Sequence, residues 1–406
     1  MKSYYNQEKI ASSFRNFFQK NFSISKPHLN SLSYVITGMI STESVVTADI
    51  SRKLKDDFSL INLESIELRF RRFFASFSSV AYSIFDLFIK HILSLFCVKH
   101  SDKNVHIAFA NMFCKNKFTI LLFSLRIGKQ GIPIWFRCFK GKHNADAYKM
   151  DLIKEGISYC KNLFDGKNYH IIFLADRCFP YIDILSHIES LGCFYCIRSK
   201  TFFTCSYTNS KGHFITKSLR DIHPHKYSAR VFKDVLYTRK LFKTNIIISN
   251  YSNTDEPWYL VTNDDPSRAV RNYSYRFGCI ESIFKSQKSN GFRLESTNTQ
   301  KIEHFISLFT VMCIALVWLT IIGSDYVKNK NKYHLKIRDV RKHKNGSTTR
   351  LYSLFNIGLS IFDLCYYNYI DFKLKFNFLL YDIWKNTLYL HNLGSITTCF
   401  LARLII

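Results

Sequence analysis

Two carboxylates are placed where they could do chemistry. Asp176 closes the apolar run in IIFLADRCF. A carboxylate ending a buried parallel strand lies where open sheets bind their ligands. The same residue would serve equally well as a helix N-cap. Glu281 sits in YSYRFGCIESIFKSQKSNGF, with Lys285 and Lys288 following at i+4 and i+7. At that spacing the three share one helical face. The pattern suits a metal ligand beside phosphate groups, and it also suits a surface ion pair. Together, two such acids point to metal-assisted phosphoryl transfer. That chemistry needs carboxylates from separate elements to converge on two ions about 4 Å apart. Magnesium, with its preference for oxygen ligands, is the expected ion, or manganese in its place.

The elements that must carry these residues follow from periodicity. Residues 1–100 read as helical, from LSYVITGMI through STESVVTADISRKLKDDFSLINLESIELRFRRFFASF. Lys53, Lys55, Arg69, Arg71 and Arg72 make this part basic. A small basic helical domain suits DNA binding, while each arginine taken singly reads as a solvated charge. Three apolar runs follow: NVHIAFANMF, KFTILLFSLRIG and QGIPIWFRCFKG. Turns are expected at Lys115-Asn116 and at Gly128 to Gly131. Helix, strand (HIIFLADR), helix and strand (CFYCIRSK) complete residues 101–200. A meander of three strands followed by alternation is the order of an RNase H-like domain. A Rossmann domain alternates from its start and needs G-x-G-x-x-G, which is absent.

Short alternating runs over 201–255 predict an all-β insertion. PWYLVTND is a further buried strand, a long helix is expected from about Ser267 to Ser289, and an apolar helix follows within 256–325. Residues 326–406 read as a basic arm and closing helices. The fold expected is therefore α/β: an RNase H-like mixed sheet flanked by helices, with an all-β insertion and an N-terminal helical domain.

The segment Tyr273 to Lys288 resembles the Tyr-Arg-Glu-Lys signature of bacterial insertion-sequence transposases of the DDE type. Tyr273 and Arg276 have the expected gap of two residues, and Glu281 and Lys288 the expected gap of six. Between Arg276 and Glu281 stand four residues where the common pattern has three. LADR around Asp176 is similar to the family's second acid, PWYLVTN to the strand before the signature, and RLYSLFNIGLSIF to its C-terminal motif. The resemblance implies Asp176 and Glu281 as catalytic, metal-binding acids. It implies Tyr273, Arg276, Lys285 and Lys288 as contacts to DNA, and a homodimer working on paired DNA ends. The family's first acid ends the first strand, in a pattern like I-A-F-D. This chain reads IAFANMF, so Ala110 stands at that position. Asn111 should point to the opposite face of the strand. The expectation is a transposase with impaired cutting, or a DNA-binding derivative that does not cut.

Bulk composition agrees with a polyanionic partner. Lys and Arg number 57 against 30 Asp and Glu, a formal charge of +27. Such a charge repels itself in a compact state. With 47% hydrophobic and 16% aromatic residues, disorder is not expected. Cys193 and Cys196 form a lone C-x-x-C, and a zinc site would want a second pair. The start is polar and basic, unlike a secretion signal. Residues 305–323, FISLFTVMCIALVWLTIIG, have the length of a membrane span. The family resemblance assigns them instead to a core helix, so no membrane is expected. The location expected is the bacterial cytoplasm, beside the nucleoid.

Overall fold

The structure is a computed structural model. It describes residues 2–55, 61–94, 104–141, 147–166, 168–209, 211–250, 256–288, 291–328, 340–343 and 346–367. Helices α1 (Lys2–Asn21), α2 (Lys26–Thr42), α3 (Thr47–Leu54), α4 (Leu63–Phe77) and α5 (Ala81–Ser94) come first. Strands β1 (Asn104–Cys114), β2 (Phe118–Ile127) and β3 (Gln130–Lys140) then form the meander. Its first turn is built from Lys115 and Asn116, both left-handed at φ 48° and 57°, as a two-residue hairpin turn demands. Next come α6 (Ala147–Asn162), β4 (His170–Ala175), α7 (Ile182–Ser190) and β5 (Phe194–Arg198). β4 lies parallel to both β1 and β5.

The stretch after β5 is β-rich, as its alternating runs predict, and its strands belong to the central sheet. Strands β6 (Thr204–Thr208), β7 (Phe214–Ser218), β8 (Ala229–Tyr237) and β9 (Phe242–Ser249) join β10 (Trp258–Thr262) and extend the same sheet. The order of its ten described strands is β3-β2-β1-β4-β5-β10-β9-β8-β6-β7. Five consecutive residue pairs between β9 and β10 weld the extension to the centre. Alternating polarity identified these strands, but it carries no information on which sheet they join.

Alternation does decide the two faces. Phe109, Phe123 and Phe173 stack among themselves on one side, where α6 and α7 pack. Ala108, Ala110, Ile172 and Leu174 point to the other side and form a second core. That core lies beneath one nearly continuous helix: α8 (Ala269–Arg276), a π-helical turn (Phe277–Glu281) and α9 (Ser282–Lys288). Helices on both faces of a mixed sheet make the fold α/β.

The apolar segment forms α10 (Ile302–Lys328), whose most hydrophobic stretch is 94% buried inside the protein. It packs against α2, α4, α5, β3 and α11 (Leu354–Tyr367). The N-terminal helices thus share a core with the sheet through α10, and they do not fold around a centre of their own. Between α10 and α11 lies a short hairpin of β11 (Val340–Lys342) and β12 (Thr348–Arg350). The rest of the expected basic arm, and any closing helices in 368–406, fall outside the described residues.

α10 and α11 cross at glycines. A Cβ added to Gly323 would lie 1.8 Å from the Leu354 carbonyl, and one added to Gly358 would lie 2.0 Å from the Leu319 carbonyl. The glycine of NIGLS is therefore a packing device. Gly358→Ala must push two backbones apart. We expect a loss of about 3 kcal/mol, the upper range for overpacking, read from urea denaturation.

Candidate active site

The candidate site gathers at the carboxyl ends of β4 and β1. Ala108 of β1 pairs with Leu174 of β4. Carried forward two residues, that register sets Ala110 level with Asp176. Ala110 is 2% exposed, and its methyl packs in the core that includes Tyr273, Cys279 and Ile280. Asn111 pairs with Leu121 on β2, and alternation sends its side chain to the other face.

Asp176 divides its two oxygens between local and distant partners. Oδ1 accepts from the backbone N–H of Cys178 at 2.9 Å, a short Asx turn that stops the strand. Oδ2 accepts from Nη2 of Arg276 at 3.2 Å. Asp176 is not a helix N-cap, since Tyr181 holds that position for α7; it closes a turn after β4 and faces Arg276.

Arg276 is the centre of the arrangement. Its Nη1 lies 3.7 Å from Oε1 of Glu281, so one guanidinium spans both acids. Glu281 is five positions after Arg276. In an α-helix of 3.6 residues per turn that separation rotates the two by about 140°. The π-helical turn over Phe277–Glu281 accommodates the additional residue and returns Glu281 to the face of Arg276. The fourth residue between Arg276 and Glu281, unexpected in the spacing, is absorbed there.

The turn is shaped by the β2–β3 hairpin. A Cβ on Gly278 would meet the Lys129 carbonyl at 2.6 Å, and one on Gly131 would meet the Cys279 carbonyl at 2.2 Å. The Ser124 hydroxyl donates to that Cys279 carbonyl at 3.2 Å. Burial pushes the Cys279 thiol up to about 12, which keeps it an inert packing group.

The other residues named from sequence divide. Tyr273 is buried, with its ring edge-on to Trp258 (5.0 Å) and Phe277 (5.8 Å), and burial raises its hydroxyl's pKa. It forms the floor under the site and is not presented to a solvent-borne strand. Lys285 is exposed on the helix. Lys288 turns away from Glu281 and pairs with Glu295 at 2.8 Å. The common face expected for Glu281, Lys285 and Lys288 is broken there by a carboxylate the local spacing could not reveal. Cys193 and Cys196 belong to opposite cores of the sheet, so they cannot share an ion.

Cations beyond the signature also line this end of the sheet. Arg177 and Arg198 both reach Glu256, at 3.7 and 3.2 Å. Lys200 lies 5.7 Å from the rings of both Tyr181 and Phe202. The run RSK, which begins on the last residue of β5, and the arginine of LADR are their only marks in the sequence.

The donors do not fit two divalent ions. Two acids meet here with Arg276 between them, and Ala110 beside them offers no oxygen. Arg276 is only 10% exposed, and its buried Nε has no hydrogen-bond partner. Its fixed positive charge stands where a cation would have to approach. Among the described residues no group of three or more His, Cys, Asp or Glu side chains could hold a metal. As it stands, the pair is an arginine-bridged dicarboxylate.

Removing the bridge should be costly. Arg276→Gln leaves two facing carboxylates without compensation. A broken buried pair costs about 3–5 kcal/mol, but Asp176 and Glu281 are 34% and 56% exposed. Allowing for that screening, we expect about 2 kcal/mol at neutral pH. Denaturant titration of the variant at low and at high salt checks this, because screening of the repulsion between the two carboxylates should recover part of the loss.

No family model matches the chain, and no curated protein matches it.

Proposed function

We propose that the chain is a DNA-binding protein built on the insertion-sequence transposase plan, with an RNase H-like catalytic core whose strand-cutting centre is disabled. The observation that carries this is Arg276 joined to both Asp176 and Glu281, beside Ala110. The two acids come from elements a hundred residues apart and meet at one end of the sheet. The four residues between Arg276 and Glu281 keep the signature's facing through the π-helical turn. Such convergence supports a common origin in phosphoryl transfer, and the alanine explains why cutting should fail.

What remains is binding. The +27 charge suits a phosphate backbone, with Lys285, Arg177 and Lys200 available near the acid pair. Charges of this kind position a strand and do not read bases. In this reading the protein works as a homodimer on the ends of a mobile element, in the bacterial cytoplasm. It holds DNA without cutting it, as an inhibitor of an intact relative would. The test is fluorescence anisotropy with DNA from the flanks of its own reading frame, alongside a nicking assay with Mg2+ or Mn2+. Binding without nicking supports the proposal. Efficient nicking by the natural chain would overturn the role given to Ala110, and absence of DNA binding would overturn the whole reading.

A further inference from the structure

A second cationic site lies on the helix-covered face of the sheet, about four residues of β1 (some 13 Å at strand spacing) away from Ala110. It is a pocket of about 300 Å³ between β1, β2 and the start of α8. Arg126 enters from β2, and Arg268 and Arg271 from the beginning of the signature helix. Tyr275 stands among them. The Arg126 guanidinium lies 3.4 Å from its ring centroid, and Arg271 Nε donates to its hydroxyl.

The far wall is polar and built. His106 and Asn272 are hydrogen-bonded at 3.2 Å, and Asn272 donates at 3.2 Å to the buried Asp264, which His170 also contacts at 3.0 Å. His106 meets the Tyr275 ring edge-on at 4.9 Å. One step before the Ile107–Leu125 pair, the register sets His106 directly across from Arg126. The arginine is thus gripped by neighbours on both elements.

Three guanidinium groups converging on one pocket repel one another. Arg268 has Asp265 at 3.5 Å. Among the described residues, no carboxylate forms an ion pair with Arg126 or Arg271. Half burial also weakens Arg126's hold on its proton. An arrangement of this kind is relieved by an anion with several oxygens, which planar guanidinium forks bind in pairs.

We infer that this pocket binds a phosphate group, carried by a nucleic-acid strand that the same molecule holds. The identity of the carrier rests on the DNA-binding reading above; the preference for phosphate rests on the pocket alone.

The experiment uses the full chain, natural and with Arg271→Gln, Arg268→Gln or Arg126→Gln. Arg268 and Arg271 are exposed, so their variants keep the test valid if Arg126→Gln fails to fold. Inorganic phosphate should raise the melting temperature of the natural protein at constant ionic strength, and raise it much less in the variants. Affinity for a random-sequence DNA duplex should fall about tenfold in each variant. The slope of log K against log salt should flatten by about one for the lost contact. Lys211→Gln, in the exposed turn before β7, should leave the phosphate response unchanged. If the natural chain responds to phosphate but binds no DNA, the pocket stands and the functional proposal falls. If the variants lose the phosphate response while their DNA affinity is unchanged, the strand as carrier is overturned, and a small phosphate compound takes its place. If neither phosphate nor DNA distinguishes the variants from the natural chain, the inference is wrong.

Discussion

Under the proposed function, Ala110→Asp is expected to confer metal-dependent nicking of DNA. The register sets position 110 level with Asp176, and Glu281 faces the same point through Arg276. A third carboxylate there would give the group enough negative charge to hold divalent ions, provided the Arg276 guanidinium that now stands between Asp176 and Glu281 swings aside for them. The competing effect is burial. Residue 110 is almost fully enclosed among Ala108, Tyr273, Cys279 and Ile280. An unpaired carboxylate at such a place is unfavourable by several kcal/mol, or else takes up a proton. The variant should therefore melt lower than the natural protein without metal and recover when Mg2+ or Mn2+ is added. The natural chain should show no such response. Nicking of plasmid DNA should rise by about two orders of magnitude or more, since catalytic sets fail and recover as units. A folded variant indifferent to metal would mean that the three positions do not share a site.

Steep salt dependence is the second large effect expected. A duplex held by charge releases counterions when bound, and each phosphate neutralised adds about 0.9 to the slope of log K against log salt. The excess of 27 positive charges far exceeds what one binding face can use. If six to ten contacts form, affinity should drop by roughly three to five orders of magnitude between 50 and 200 mM salt. Fluorescence anisotropy across that range decides it. A flat response would remove nucleic acid as the partner and leave the charge without its proposed purpose.

The two expectations separate binding from chemistry. Ala110→Asp should alter cutting and metal response while leaving the salt slope alone. Loss of Arg126 or Arg271 should do the reverse. Arg276 bridges the acid pair directly. Its replacement is expected to register in stability first.

Local pattern carried much of this protein. Strands β1 to β3 follow from apolar runs broken by Lys115-Asn116 and Gly128, and both breaks are turns with positive φ. The ends of apolar strands singled out Asp176, and helical spacing singled out Glu281. That Ala110 stands where the family resemblance expects an acid comes from setting IAFANMF beside that family's pattern. These succeed because side-chain direction in a strand or helix is set by the backbone within a few residues.

Partnership lay beyond local pattern. The run over 201–255 reads as an all-β insertion without saying which sheet it joins; β9 pairs with β10 and prolongs the central one. Tyr273 reads as a phosphate contact, but Trp258 and Phe277 enclose it. Lys288 reads as a companion of Glu281, but it answers Glu295. The π-helical turn that aligns Arg276 with Glu281 is pressed into shape by Gly131 and Ser124, about 150 residues earlier in the chain. Each outcome depends on which distant surface is buried against which, and burial free energy is summed over the whole packed molecule. Composition and spacing chose the elements and their faces; only the folded assembly decided which side chains touch.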